Sequence, residues 1–417
     1  MRTTSANSPI APEVKRHLIH DIAPFWLSLR DDEFGGFYGH MGTDFVVNKK
    51  ADKGCILNSR ILWFFSEMYS LCMDGLISET KLQDEGYSSL DILDSARHAF
   101  NFLKEYLYDA VNGGVYWSVT YDGKPSDTNK YTYNLAFAVY ALVSYYNVSS
   151  DLEAIGIARK IKNVIELKCK DDIGYLESFD CEFNMIENDM LSENGVMAYR
   201  TTNTLVNIME AYAALYNSTK DLPFKDKLIS VFNMYKDKVY NYEKQRPDIF
   251  FDKDYNSIID LELYGYDLEI SWILDRMCDA LGDEEMRQSI SNISDQLVLK
   301  AYNDAFDGRS VAYECEDGVL NTARAWWVQS EAIIAFMNSY IKHPEYVPYH
   351  DAMHSVWNFV KQYMITNVHP AEWYNEVSID GEVDHSLPIV SNWKCPYHVG
   401  RMCMEIIRRQ EHLSEDL

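Results

Sequence analysis

No stretch of this 417-residue chain approaches the roughly 18 consecutive apolar residues needed to cross a bilayer. The opening residues, MRTTSANSPIAPEVKRH, hold no apolar core of the kind a secretory leader requires, so no signal peptide is expected. None of the eight cysteines forms a CxxC pair, and most sit among apolar neighbours. Reduced thiols in a cytoplasmic protein are the expectation. Basic residues are scarce: 38 Lys and Arg against 64 Asp and Glu leave a formal charge of -26. That argues against nucleic acid and anionic membranes as partners, and against a highly anionic substrate unless the pocket is locally basic. The acids are scattered along the chain, not gathered into a tail. There is no phosphate loop, no HExxH and no GxSxG. There is also no low-complexity stretch or linker, so residues 1–417 read as one domain, with a monomer as the default.

Histidine is unevenly spread. Of eleven, none falls between His98 and His343. A tight histidine cluster for a metal would have to come from residues 343–369, where His350 and His354 share a helix face. Surface or packing roles are expected for that pair.

What the chain does have is repetition. A glycine- and aromatic-rich strand signal recurs about every 60 to 80 residues, as DEFGGFYGHMGTD at 32–44 and NGGVYWSVTYDGK at 112–124. Weaker copies lie at 172–180, 246–255, 310–318 and 371–381. Each reads as a short hairpin. Two helical patterns separate successive copies. The first is apolar nearly all round, as in YNLAFAVYALVSYY from Tyr133, and the second is amphipathic, as in SLDILDSARHAFNFLKEYLY. An all-round apolar helix is buried, and one with a charged face lies outside. Six inner and six outer helices predict an all-α (α/α)6 barrel with short β-hairpins at the mouth of a central cavity. The amphipathic segment PEVKRHLIHDIAPFWLSLRDD must fill the last outer place. The alternative is a helical solenoid that never closes.

In such a ring, polar and aromatic residues at the first turns of inner helices are pocket candidates. Arg60 enters an apolar helix and must find a partner or polar space, either in an ion pair or as an anchor for an oxyanion. Trp326 and Trp327 are neighbours on a helix, about 100° apart, so at most one is expected to face the cavity squarely while the other contacts it from the side. Glu331 follows Trp327 by one turn, Asp267 and Glu269 open the fourth inner helix, and His398 lies just before the sixth.

The segments ADKGCILNSRILWFFS, LSENGVMAYRTTNTL, FFDKDYNSIIDLELYGYDLEISW, RAWWVQSEA and WKCPYHVGRMCMEIIRR carry a resemblance that spans residues 19–409. The chain resembles the N-acylglucosamine 2-epimerase superfamily and, within it, the bacterial cellobiose 2-epimerases. The resemblance implies inversion of C2 at the reducing end of a β-1,4-linked disaccharide, or a monosaccharide, with no metal or nucleotide in the chemistry. Ring opening, proton abstraction to a cis-enediolate and return of the proton on the opposite face are implied with it. By the same resemblance His398 is a general acid/base, Arg60 holds the enediolate oxygen and Glu269 orients the partner base. Trp326 and Trp327 flank the sugar, and Tyr133, Asn194, Glu331 and Trp393 line the pocket.

Two positions depart from the pattern. The partner base, a histidine in the family's YGHDxE, is Tyr266 here, and a histidine thought to assist ring opening is Asn207. Tyrosine ordinarily titrates near 10 and histidine near 6.5, so Tyr266 is a weaker proton acceptor at neutral pH. Three readings follow: a 2-epimerase with Tyr266 in the histidine's place, a sugar isomerase or lyase working through His398 alone, or a sugar binder with little chemistry. A glycoside hydrolase is a further class, needing two carboxylates opposed across a bond. The 2-epimerase reading is adopted.

Overall fold

The computed structural model describes residues 10–187 and 195–413. Six inner helices, Cys55–Met73, Thr132–Ser149, Thr202–Thr219, Tyr264–Leu281, Trp326–Lys342 and Tyr397–Arg408, alternate with the outer helices Ser89–Phe102, Leu152–Lys168, Leu222–Met234, Glu284–Asp304 and Val347–Phe359. Burial follows the sequence pattern. In the second inner helix every residue from Thr132 to Tyr145 is buried, so that helix has no solvent face. The outer helix Ser89–Phe102 buries only a stripe through Ile92, Ala96, Ala99 and Phe100. Its first turn is closed by a capping box between Ser88 and Asp91, which satisfies two backbone donors at once.

The ring closes. The sixth inner helix packs against the first, and the N-terminal helix Ile10–His17 packs outside the sixth. That helix continues through a π turn at Leu18–Ile22 into Ala23–Ser28, filling the sixth outer place. Gly400 makes the closure possible: a Cβ there would come within 2.4 Å of the Phe64 ring. The fold is an (α/α)6 barrel, not an open solenoid.

The hairpins form a second closed ladder around one end. The residues leading into each inner helix pair with the hairpin of the following repeat: Lys53 with Val119, Lys130 with Phe179, Arg200 with Phe251, Leu261 with Glu316 and Arg324 with Val377. Met41 pairs with Val390 and completes the circle.

Under most of these steps a buried cation meets an acid. Lys53 meets Asp31 at 2.6 Å, Lys130 meets Asp109 at 2.9 Å, Arg324 meets Asp307 at 2.9 Å and Lys394 meets Glu372 at 3.0 Å. Arg200 and Asp171 make the same clip. In the fourth repeat the charges are exchanged: Glu262 stands just before the inner helix and Arg246 comes from the hairpin, 3.6 Å away. Each clip ties a hairpin to the start of its inner helix, so the helix N-termini are held at one level. Among the described residues no helix is long and apolar enough to cross a membrane.

Candidate functional site

A central cavity opens at the hairpin end of the ring. Its wall is built from the first two turns of the inner helices: Arg60 from the first, Tyr133 from the second, Asn203 and Asn207 from the third, Tyr266 and Glu269 from the fourth, Trp326 and Trp327 from the fifth, Tyr397 and His398 from the sixth. Phe250, Leu263, Tyr313, Glu314 and Trp393 complete it from the hairpins and loops. The residues expected from the sequence at Arg60, Tyr266 and His398 therefore share one space. Six helix N-termini surround that space, and their positive dipole ends favour negative charge within it.

Both tryptophans reach the cavity. Trp327 packs against both Tyr266 and His398, with ring centroids 5.2 Å and 5.7 Å away. Gly265 gives it room, because a Cβ at that position would fall 2.3 Å from the indole. Trp393 lies against Trp117 at 5.4 Å and Tyr133 at 5.8 Å, so its face is set by packing. These flat surfaces suit the apolar faces of a sugar ring.

His398 is held from behind. Its Nδ1 lies 2.7 Å from Glu331 Oε1, and Glu331 is fully buried. Arg401 Nη2 also reaches Glu331 Oε1, at 2.7 Å, and opposes the burial that raises the Glu331 pKa above the ordinary carboxylate value. A carboxylate only accepts, so Nδ1 carries the imidazole proton and Nε2 is left with a lone pair. Burial drives the His398 pKa well below the ordinary histidine value; Glu269 opposes this, while Arg401, Arg60 and Lys394 reinforce it. The ring is a neutral base at neutral pH.

Glu331 thus lies behind His398 and is absent from the cavity wall, where it was expected. The indole of Trp272 binds its second oxygen at 3.0 Å. Glu269 lines the cavity and forms an ion pair with Arg401. Arg401 touches a third glutamate as well, Glu210, at 3.2 Å, and Tyr397 bridges the same groups. One guanidinium thus serves Glu210, Glu269 and Glu331. Burial, opposed by Arg401 and helped by the neighbouring Glu269, leaves Glu210 at about 7. Asp267 turns away from the cavity, toward Glu262 on the rim.

Arg60 is the opposite case. It is buried, and among the described residues it forms no ion pair. Its guanidinium donates to Tyr133 Oη and, at 3.3 Å, to the Trp393 carbonyl. It sits 5.0 Å from the ring centres of Phe137 and Tyr397. A buried cation without a counter-ion is costly, and here it borders the cavity. It is poised for an anionic oxygen.

Asn207 lines the cavity and donates to the backbone and side chain of Asn203 at 2.8 Å and 2.9 Å. Asn194 lies outside the described residues. Sequence reasoning missed Arg401, Tyr397, Glu210, Asn203, Tyr313 and Glu314. The signal for Arg401 was present: it follows His398 by three residues in an apolar helix, as Arg60 stands in the first, and a buried arginine demands partners.

Glu269, Glu331 and His398 also lie close enough together to hold a metal ion. Arg401 already rests on both carboxylates, so a second positive charge there would be repelled. The arrangement offers a neutral base, an uncompensated cation, a phenol and aromatic walls, which is equipment for moving a proton next to a carbonyl.

The family pattern of N-acylglucosamine 2-epimerase (GlcNAc 2-epimerase) matches residues 35–400. A cellobiose 2-epimerase of Eubacterium cellulosolvens is 45% identical over 411 residues, covering 95% of this chain and 97% of that protein. Among solved structures, a sugar epimerase from a ruminal bacterium superposes with a TM-score of 0.90 at 39% identity, over 96% of this chain and 99% of its own. The cellobiose 2-epimerase from Bacillus thermoamylovorans B4167 gives 0.88 at 36% identity, over 96% and 99%. Matched along nearly its whole length, in sequence and in the course of its backbone, the chain belongs to the N-acylglucosamine 2-epimerase family.

Proposed function

We propose that this enzyme reversibly inverts C2 of the reducing-end glucose of β-1,4-linked disaccharides, taking cellobiose to glucosyl-mannose and lactose to epilactose. The observation that carries this reading is the meeting of Arg60, Tyr266 and His398 in one cavity, with His398 a neutral base on Glu331 and Arg60 a buried cation without a counter-ion among the described residues. The 45% identical cellobiose 2-epimerase supports the choice of substrate.

In the open-chain sugar, the C2 proton is acidified by the C1 carbonyl. His398 Nε2 removes it. The electrons move onto the carbonyl oxygen, and Arg60 neutralises the resulting enediolate together with the helix N-termini. Rotation about C2–C3 presents the other face. Tyr266, which shares the cavity with His398, returns a proton to C2. That leaves an imidazolium and a phenolate, which exchange a proton through water before the next turnover. Regenerating the phenol is the step a histidine would make easier, since its pKa lies nearer 7. Trp326, Trp327 and Trp393 flank the sugar rings, and Glu314, on the hairpin side of the wall, meets hydroxyls of the distal unit.

A second reading has its own support. Among the described residues His398 is the only histidine on the cavity wall. A lone base acts on one face, and return of the proton at C1 instead of C2 yields a ketose. Incubating cellobiose in heavy water tests both readings. Epimerisation requires deuterium at C2 and glucosyl-mannose; glucosyl-fructose alone supports the single-base route; no exchange at any pH leaves sugar binding without chemistry.

The same reading treats residues 1–417 as one catalytic domain acting as a monomer in the cytoplasm. The eight free thiols and a ring that closes on itself support it.

A further inference from the structure

The N-terminal helix brings a second group of histidines together, away from the central cavity. His20 and Asp21 lie on its π turn, and His369 lies on the loop that follows the last outer helix. One ligating atom from each falls within 4.8 Å of the others. The two imidazoles stack with centroids 4.3 Å apart. His369 Nδ1 is 3.3 Å from Asp21 Oδ1. Two donors bound to a tetrahedral Zn2+ at about 2.0–2.1 Å each would stand roughly 3.4 Å apart.

The surroundings are those of a supported ligand set. The indole of Trp373 donates to His17 Nε2 at 2.9 Å, so His17 must carry its proton on Nδ1. That proton goes to Asp21 Oδ2, 2.9 Å away, which fixes the carboxylate and turns Oδ1 toward His369. Glu85 Oε2 holds His20 Nδ1 at 2.6 Å and leaves the other nitrogen with a lone pair. A carboxylate behind a histidine is the usual second layer of a metal site. The group borders a surface groove lined by Glu13, Arg16 and Lys361, so an ion can enter. Lys361 is already paired with Glu13 at 2.6 Å, which removes one opposing charge.

We propose that His20, Asp21 and His369 bind a divalent transition-metal ion of the Zn2+ type, with water as the fourth ligand. The ion joins the N-terminal helix to the last hairpin loop, and through Glu85 it reaches the segment after the first inner helix. Those are the pieces that meet where the ring is closed by its terminus. The site is structural: it strengthens the closure and takes no part in proton transfer at the sugar.

The test uses the untagged full chain, stripped with a chelator. Titration with Co2+ should give saturable visible bands of tetrahedral intensity at one ion per chain, bleached by added Zn2+. Zn2+ should also raise the melting temperature by at least about 2 °C. His20→Ala and His369→Ala, both at partly exposed positions, should each abolish the bands and the thermal shift, while His350→Ala leaves both intact. Epimerase turnover should be the same with and without Zn2+. Absence of the bands, their survival in His369→Ala, or their loss in His350→Ala would overturn the assignment.

Discussion

The rim and the centre of this ring handle buried charge in opposite ways. Around the rim each buried cation has its own acid: Lys53 has Asp31, Lys130 has Asp109, Lys394 has Glu372. At the centre the accounts do not balance. Arg401 faces three glutamates, and among the described residues Arg60, close by, faces none. A matched buried pair holds its two chain segments in one geometry and has nothing left to offer a ligand. An unmatched cation beside a cavity is stabilised fully only when something anionic arrives. The rim therefore sets where the inner helices begin, and the centre uses that placement for chemistry.

His398→Ala should have the largest effect, lowering C2 exchange by about a thousandfold or more while the melting temperature stays within a few degrees. A comparable loss of stability would mean that the residue packs and does not react. Asp31→Asn should do the reverse. It leaves Lys53 buried with only the Gly35 carbonyl and no counter-charge, at a cost of about 3–5 kcal/mol in denaturant unfolding, while the folded fraction keeps its kcat. Loss of kcat at unchanged stability would show the rim taking part in catalysis.

Glu210 sharpens the contrast through pH. Its native pKa is raised to about 7, so between roughly pH 4.5 and 7 the folded chain holds a proton that the unfolded chain has released. Its contribution to stability is complete below that window and falls as pH rises through it, by roughly 3 kcal/mol in all. Glu210→Gln removes this slope, visible as a flatter difference between pH 5 and 7 in urea titrations of the two proteins. An unchanged slope would place the titration elsewhere. Arg60→Met should lower kcat about a hundredfold and cost little stability, because it removes a buried charge that has no partner to strand. The smallest change expected is a gain: Tyr266→His should raise kcat at pH 7 about tenfold, read as faster deuterium uptake at C2. A slower variant would mean that Tyr266 does more than stand in for a histidine.

Much of the architecture was legible. The alternation of all-round apolar and one-faced helices, six times over, reports burial directly, because a helix with no polar face has no place at a surface. The N-terminal segment was assigned to the vacant outer place for the same reason. The start of each inner helix was a sound address for the site, and Arg60, Tyr266, Glu269 and His398 all lie there. What stayed hidden were relations between residues far apart in the chain. Glu331 was expected on the wall, yet its carboxylate points behind it, to His398 on the next inner helix. The shared guanidinium of Arg401 depends on the third, fourth, fifth and sixth inner helices meeting at one axis. The pairing of His20 with His369 depends on the terminus returning to the last repeat. The space that Gly265 on the neighbouring helix yields to the Trp327 indole is likewise a fact about contact that helical spacing does not carry.

Periodicity, composition and the types of residue at helix starts were determined by the chain itself, since each is a local consequence of which groups tolerate water. Which acid faces which base, which cation is left alone and which side of a helix meets the sugar were decided only on closure. Those are distances through space, and they exist only once the last repeat has returned to the first.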